Sequence, residues 1–182
     1  MKPKVNIHIG QYFASREPSL IQTILGSCIS VCLFDPVKKI GGMNHILHSG
    51  KDMVSPDDSA RFGINAMEML INEMTGLGAV RSRLVAKIFG GGNILGLPEK
   101  YQVGARNTDF VINFLRTDKI RILAQNTGGH FSRRLLFHTD TCEAFMKKLN
   151  INNYLESEIK IDKKLSSRVK SIPQKDGDVT LF

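Results

Sequence analysis

The sequence predicts an α+β or mixed α/β domain in which groups of strands pack against two helices. Two observations predict it. Short apolar segments rich in β-branched residues follow one another in groups, and only two longer segments carry apolar residues at helical spacing. A doubly wound sheet would instead alternate strands with helices. The 182 residues suit a single domain, and 42% apolar with 23% charged residues is ordinary for a globular protein.

The first part of the chain carries four predicted strands. Gly10 interrupts the first strand, a Gly-Ser pair separates the second from the third, and Asp35 begins a turn into the fourth. Because that turn reverses the chain, it would bring His45 back toward Cys28. The four strands are predicted at residues 5–13, Leu20–Leu25, 28–34 and 40–47.

A helix is predicted to follow these strands. Ser55 can cap its N-terminus, Pro56 fits the first helical position, and two aspartates come next, where the helix dipole favours negative charge. The helix should run to about Thr75 and stop at Gly76. The side chains predicted to face inward are Phe62, Ala66, Met69, Leu70 and Met74.

The second part is predicted to contain a helix at 105–116 and strands at 83–89, 120–125, 133–138 and 143–149. Three glycines at 90–92 and Asn93 suggest a phosphate-binding loop, but the lysine and the serine or threonine of such a loop are missing. This run is therefore predicted to be a turn that lets the backbone approach another segment closely. Beyond Asn150 the pattern decays, so we expect a domain at residues 1–152 and a basic, loosely packed extension at 153–182.

The net charge of +8 favours an acidic partner, whether nucleic acid, anionic lipid or an acidic protein. No aromatic platform, zinc finger or recognition helix accompanies the charge, so nucleic-acid binding is not expected. No apolar run approaches the ~20 residues of a membrane span, and no signal-peptide core follows the first residues. We expect a cytoplasmic protein without membrane insertion. The three cysteines lack the spacing of a disulfide framework and are expected to be reduced.

Cys28 and His45 are the candidate nucleophile and base. A thiol is a good nucleophile at neutral pH, and an adjacent imidazole can activate it as a base or through an ion pair. This chemistry requires neither a metal ion nor an organic cofactor, and none is expected.

Four neighbouring residues are candidates for supporting roles. Gly26 permits a tight turn before the thiol, and the backbone N–H groups around Ser27 and Cys28 would then receive a developing oxyanion. The His45 ring needs a partner that fixes it, and the local options are Thr23, Asn44 or a backbone carbonyl.

Two other interpretations use the same atoms. In the first, Cys28 is a small buried hydrophobe and His45 a structural residue, as Cys32 and Cys142 are predicted to be inert core residues. In the second, Cys28, Cys32, His45 and His48 bind zinc. Their spacing matches neither a zinc ribbon nor a finger, and positions 45 and 48 of one strand would face opposite ways.

Five blocks of the sequence, in order over about residues 5–149, resemble the CheD family of bacterial chemoreceptor glutamine deamidases. They are TILGSCISVCLFDPVKKIGGMNHILH, ARFGINAMEMLINEM, AKIFGGGNIL, VGARNTDFVINFL and IRILAQNTGGHFSRRLLFHTDT. The resemblance implies sheets sandwiched against helices, as in the catalytic domain of a deamidating bacterial toxin. It also implies hydrolysis of receptor glutamines to glutamate through a cysteine thioester, joined in some members by hydrolysis of receptor methyl esters.

By the same resemblance, Cys28 matches the family's nucleophile and His45 its base. The family's third catalytic residue is a threonine six positions before the cysteine, where this chain has Gln22; Thr23 lies five positions before. Because neighbouring strand residues face opposite ways, we expect a bulge or a one-residue deletion to restore Thr23, or another group to hold His45. The implied partners are methyl-accepting chemoreceptors and a CheC-type phosphatase, and the alternative is a non-catalytic adaptor that docks on either.

Overall fold

The computed structural model describes residues 1–47, 56–94, 96, 103–149 and 179–182. Within them, ten strands form two five-stranded sheets, and two α-helices and one short 3-10 helix complete the fold. The elements are β1 Lys4–Asn6, β2 Tyr12–Ser15, β3 Leu20–Leu25, β4 Ile29–Asp35, β5 Ile40–Asn44, α1 Pro56–Gly76, the 3-10 helix Arg81–Arg83, β6 Val85–Gly90, α2 Val103–Thr117, β7 Arg121–Thr127, β8 Ser132–His138, β9 Ala144–Leu149 and β10 Val179–Leu181.

Both sheets are mixed. The first sheet has the order β1-β3-β8-β9-β10 and the second β2-β5-β4-β6-β7. The pairs β1–β3 and β6–β7 are parallel, and the other pairs are antiparallel. The α+β prediction is confirmed.

The described residues stack in three layers. Apolar side chains of the two sheets meet in an inner core, which includes Leu25 and Phe137 from the first sheet and Cys32 and Phe89 from the second. The other face of the second sheet packs against both helices in an outer core. Because β4 is covered on both faces, all seven of its residues are buried.

The predicted strand at 5–13 is wrong. The segment forms two strands, β1 and β2, that belong to different sheets. Gly10 lies between them with φ +79°, a left-handed conformation in which glycine carries no steric cost. The chain therefore crosses from one sheet to the other and leaves residues 7–11 beside the end of β5.

The strands around the candidate nucleophile begin and end slightly away from their predicted bounds. β4 starts at Ile29, so Cys28 belongs to the turn before it. β5 ends at Asn44, and an isolated antiparallel bridge between Ile29 and Ile46 extends the pairing. The predicted return of the chain is confirmed.

Helix α1 ends at Gly76, as predicted. Leu70 and Met74 are buried, and Ala66 packs against the outer core. The prediction for Met69 is wrong: it is 50% exposed, because Met67 and Ile71 occupy the inward stripe. The predicted cap Ser55 and the side chain of Phe62 lie outside the described residues.

Helix α2 begins two residues earlier than predicted and buries Val111 and Leu115. Phe110 and Phe114 are partly buried at the margin of the outer core.

The last described residues form a strand that the sequence pattern did not reveal. β10 pairs with β9, and the Phe182 ring meets Phe89 edge-on at 5.6 Å between centroids. The rest of the segment beyond residue 149 lies outside the described residues, so the boundary at 152/153 stays a prediction.

Candidate active site

Cys28 lies on the turn that joins β3 to β4, and the backbone of that turn is held from several sides. The Gly26 carbonyl accepts a hydrogen bond from Gly92 N–H at 2.8 Å, and the Cys28 carbonyl accepts one from Gly91 N–H at 2.7 Å. All three cysteines are unbridged and buried, and Cys28 is 3% exposed.

Two glycines of the run that supports this turn could not carry side chains. Gly90 and Gly91 have φ +117° and +62°. A Cβ on Gly90 would lie 2.2 Å from the Cys28 carbonyl oxygen. The predicted close approach of the backbone is confirmed, and the segment that it approaches is the thiol-bearing turn.

Helix α2 holds the same turn through a side chain. Asn107 is fully buried, and its Nδ2 donates to the Ser27 carbonyl at 2.7 Å. The sequence reasoning missed Asn107. Its signal was an amide one helical turn before Val111, in the apolar stripe of an amphipathic helix.

These contacts fix the direction of two backbone amides. In a trans peptide the C=O and the next N–H point opposite ways. Because the Gly26 carbonyl faces Gly92 and the Ser27 carbonyl faces Asn107, the N–H of Ser27 points away from Gly92 and that of Cys28 points away from Asn107.

His45 lies beside Cys28 through the pairing of β4 with β5. The Ile29–Ile46 bridge places Cys28 and His45 on one face as diagonal neighbours, a relation that spans about 7 Å between backbones in antiparallel pairs. His45 is 4% exposed. Its N–H donates to the Gln11 carbonyl, and its own carbonyl accepts from Gly10 N–H, so the crossing segment wraps the residue.

Thr23 meets the imidazole. Its Oγ1 lies 2.8 Å from His45 Nδ1 and 2.8 Å from the Ile7 carbonyl oxygen. A hydroxyl has one proton, and the carbonyl can only accept, so the proton goes to Ile7 and the oxygen accepts from Nδ1–H. Nε2 then carries the lone pair, and it is buried without a hydrogen-bond partner among the described residues.

Thr23 lies one position closer to Cys28 than the threonine expected from the resemblance, and β3 contains no bulge that would account for this difference. The strand pairs with β8 in unbroken register from Leu20 to Leu25. Ile21 and Leu25, which lie two residues to either side of Thr23, are buried in the inner core, whereas Gln22 is on the opposite face.

Burial, reinforced by the nearby His8, lowers the pKa of His45 to about 4. The imidazole is therefore neutral at pH 7. A neutral imidazole is the form that can accept a proton, whereas the ion pair considered from sequence needs the protonated form.

Asn44 does not reach the ring. Its Oδ1 accepts from Val31 N–H at 2.9 Å, and its Nδ2 donates to the Ala66 carbonyl at 3.3 Å. Its side chain thus ties β5 to β4 and α1, on the face opposite His45.

A cavity of about 330 Å³ borders the turn through Gly91. Its wall includes Asn93, Thr108 and Asp109 from one side and the 127–130 segment from the other. His130 Nδ1 donates to the Asn93 carbonyl at 3.0 Å, which joins the two sides.

Within the described residues, no three His, Cys, Asp or Glu side chains are grouped to hold a metal ion. His48 of the zinc interpretation lies outside them. Neither described helix combines the length and the apolarity needed to cross a membrane.

Comparison with known proteins finds one family model, described as CheD chemotactic sensory transduction, which matches residues 48–148. Probable chemoreceptor glutamine deamidase CheD 1 of Shewanella oneidensis is 41% identical over 98% of this chain and 87% of its own. CheD 2 of Chromobacterium violaceum is 39% identical over 98% and 89%. The corresponding protein of Thiobacillus denitrificans is 41% identical over 95% and 86%. A solved structure, the hypothetical protein YfiH of Bacillus licheniformis, gives a TM-score of 0.41 at 13% identity over 65% of this chain and 51% of its own.

Proposed function

We propose that this chain, which belongs to the CheD family, is a cytoplasmic chemoreceptor glutamine deamidase with Cys28 as nucleophile and His45 as base. The observation that carries the proposal is the Thr23–His45 hydrogen bond, which leaves Nε2 of the buried imidazole unprotonated in a residue that shares a strand face with Cys28. A structural histidine would be expected to use both ring nitrogens in hydrogen bonds.

The first half of the reaction forms a thioester. His45 Nε2 takes the Cys28 thiol proton as the sulfur attacks the carboxamide carbon of a receptor glutamine. The carbonyl electron pair moves onto oxygen, toward the N–H groups of Ser27 and Cys28. When the pair returns, the C–N bond breaks and Nε2–H protonates the nitrogen, which leaves as ammonia.

The second half releases the product. Nε2 takes a proton from a water molecule as its oxygen attacks the thioester carbon. Collapse of this intermediate breaks the C–S bond, the imidazolium returns its proton to sulfur, and the glutamine has become glutamate. No metal ion or organic cofactor enters either half.

The low pKa of His45 shapes the first step. The imidazole is neutral at pH 7 and can accept a proton, and we place the transfer of the thiol proton in the step in which sulfur attacks the carbonyl. Thr23 acts by fixing the ring and its tautomer, as the third member of catalytic triads does.

The same centre supports finer proposals. A receptor glutamyl methyl ester presents the same acyl carbon with methanol as leaving group, so we include methylesterase activity as a side reaction. The net charge of +8 suits acidic protein partners, which include the receptor and a CheC-type phosphatase.

The test is mass spectrometry of a receptor cytoplasmic fragment after incubation with the protein. Each deamidation replaces NH2 by OH and adds about one dalton, and Cys28→Ala should abolish the gain. Cys32→Ala is the matched control, because Cys32 is a second buried thiol, four residues further on in β4, and should be dispensable. A gain with Cys28→Ala would refute the thiol mechanism, and no gain with wild type would favour the non-catalytic adaptor.

A further inference from the structure

Arg133 is a buried cation with neutral partners. It lies on β8, is 1% exposed, and ranks among the largest fully buried side chains. Its Nε donates to Asn126 Oδ1 at 2.8 Å, its Nη2 to the Gly128 carbonyl at 2.6 Å and its Nη1 to the Phe131 carbonyl at 3.3 Å. The guanidinium also lies 4.3 Å from the centroid of the Phe131 ring.

This arrangement is costly for stability. Within the described residues Arg133 forms no salt bridge with a carboxylate, and taking an unpaired charge out of water costs several kcal/mol. Burial lowers its pKa to about 10, so the side chain is still charged at neutral pH. An apolar residue of similar volume would fill the site without the free-energy cost of removing a charge from water. Stability alone therefore does not explain an arginine here.

The segment that Arg133 holds supports the glycine run behind Cys28. Gly128, whose carbonyl faces the guanidinium, donates its N–H to the Gly90 carbonyl at 3.0 Å. Gly129 accepts from Asn93 N–H at 2.8 Å. Through these two bonds the 126–131 segment fixes both ends of the run at 90–93.

The run in turn holds the catalytic turn through the Gly92–Gly26 and Gly91–Cys28 hydrogen bonds. The first sheet adds a direct link, because Arg133 is the register partner of Leu25, the last residue of β3 before Gly26.

The 90–93 run and the 126–131 segment are both rich in glycine, so contacts from outside them are needed to hold their backbones in one conformation. Gly128 and Gly129 have φ +73° and +74°, in the same left-handed region as Gly91. Glycine has the largest backbone freedom to lose on ordering. The planar guanidinium supplies three donors in fixed directions, which a flexible ammonium cannot reproduce.

We propose that Arg133 is a positioning residue for the deamidase reaction. Its guanidinium clamps the 126–131 segment, and through the 90–93 run it fixes the Gly26 and Cys28 carbonyls, and with them the backbone on either side of the thiol. The inference rests on the proposed function, because the kinetic consequence presumes that Cys28 is the nucleophile.

The test compares Arg133→Lys and Arg133→Met with Arg134→Met in the full chain, on the receptor fragment. Arg134 is the next residue of β8, but it is exposed on the opposite face, so its loss changes the net charge equally without touching the clamp. All variants are assayed well below their melting temperatures.

In both Arg133 variants we expect kcat to fall about 100-fold, as misplacement of reacting groups by about 1 Å does, with KM nearly unchanged. Arg134→Met should keep the wild-type kcat. A fully active Arg133→Lys would overturn the proposal, because lysine keeps the charge and loses the fork.

A second measurement is independent of folding of the variants and of the deamidase assay. In the wild-type chain, the amides of Gly91, Gly92, Asn93 and Gly128 should exchange hydrogen slowly, like those of the central strands. Exchange as fast as in exposed loops would overturn the clamp. Inactive wild-type protein with slow exchange at these amides would count against the proposed function and leave the clamp standing.

Discussion

A single hydroxyl decides which nitrogen of the His45 ring carries the proton. The glycine-framed Cys28 and His45 could be selected from the sequence because a thiol and an imidazole near a reversing turn are the minimum for covalent catalysis. Thr23 could not be preferred over a backbone carbonyl, since its contact depends on the crossing of residues 7–11 that brings the Ile7 carbonyl to it. Asn107 stands out as an amide in the apolar stripe of α2, but its partner could not be predicted, because that carbonyl lies on a turn 80 residues away.

Removing the Thr23 hydroxyl tests this assignment. Thr23→Val keeps the shape of the side chain but leaves the Ile7 carbonyl and the donor at Nδ1 without their shared partner. We expect kcat on the receptor fragment to fall about 100-fold or more, within the range that general-base catalysis contributes. Thr23→Ser keeps the hydroxyl and should retain most of the activity. A valine variant as fast as wild type would rule out the assigned role.

The pH profile tests the environment of His45. Since its pKa is lowered to about 4, the base is neutral from pH 7 down to about pH 5, and kcat/KM should have its acidic limb near pH 4. A limb centred on the ordinary imidazole value near 6.5 would contradict the burial of the ring.

The same group links folding to pH. Between about pH 6.5 and pH 4 the unfolded chain binds the proton that the folded chain excludes, so stability is lost as pH falls through that window, by up to about 3 kcal/mol. Urea unfolding across this range should show the loss in wild type and a smaller one in His45→Gln.

At the scale of elements, the sequence predicted which helices and strands exist better than it predicted where each one begins and ends. Leu20–Leu25 and the end of α1 were correct because each is bounded by a glycine. The segment 5–13 was misassigned because its loose alternation was taken to continue across Gly10, where the chain changes sheets. Met69 was misplaced because the apolar residues of α1 are more numerous than its buried stripe can hold.

Asp35 offers a test of how elements are joined. Fully buried at the end of β4, it accepts from the N–H groups of Val37 and Val80 and forms a 2.8 Å ion pair with Arg83. Although burial opposes ionisation, the hydrogen bonds from Arg83 and from these backbone amides hold the pKa of this carboxyl well below its usual range. The predicted turn at this residue thus has a charged anchor.

We expect Asp35→Ala to lower the free energy of unfolding by about 3 kcal/mol, because it strands buried donors and one cation. Glu68→Ala is the comparison. It removes the 2.7 Å ion pair between Glu68 and Arg81, whose side chains are 34% and 39% exposed, respectively. Because this pair is exposed to solvent, its loss should lower the free energy of unfolding by about 1 kcal/mol or less. Equal losses in urea titrations would contradict the anchoring role of Asp35.

At the scale of the whole molecule, the three layers place Cys28 and His45 between the two sheets, where both side chains are buried. We therefore expect the net charge of +8 to affect the rate at which the substrate approaches the protein more than the chemical steps at the buried site. Attraction between this charge and an acidic receptor surface would raise the rate of encounter and leave the chemical steps at the buried site unchanged.

The dependence of the rate on salt tests this expectation. Raising the ionic strength from about 0.02 M to about 0.3 M shortens the Debye length from about 20 Å to about 6 Å. We expect kcat/KM on the receptor fragment to fall several-fold over this range while kcat stays within about twofold. Alkylation of Cys28 by neutral iodoacetamide, measured in the same buffers, should not change and controls for an effect of salt on the fold. A kcat/KM that is independent of salt would show that the positive charge serves a partner other than the substrate.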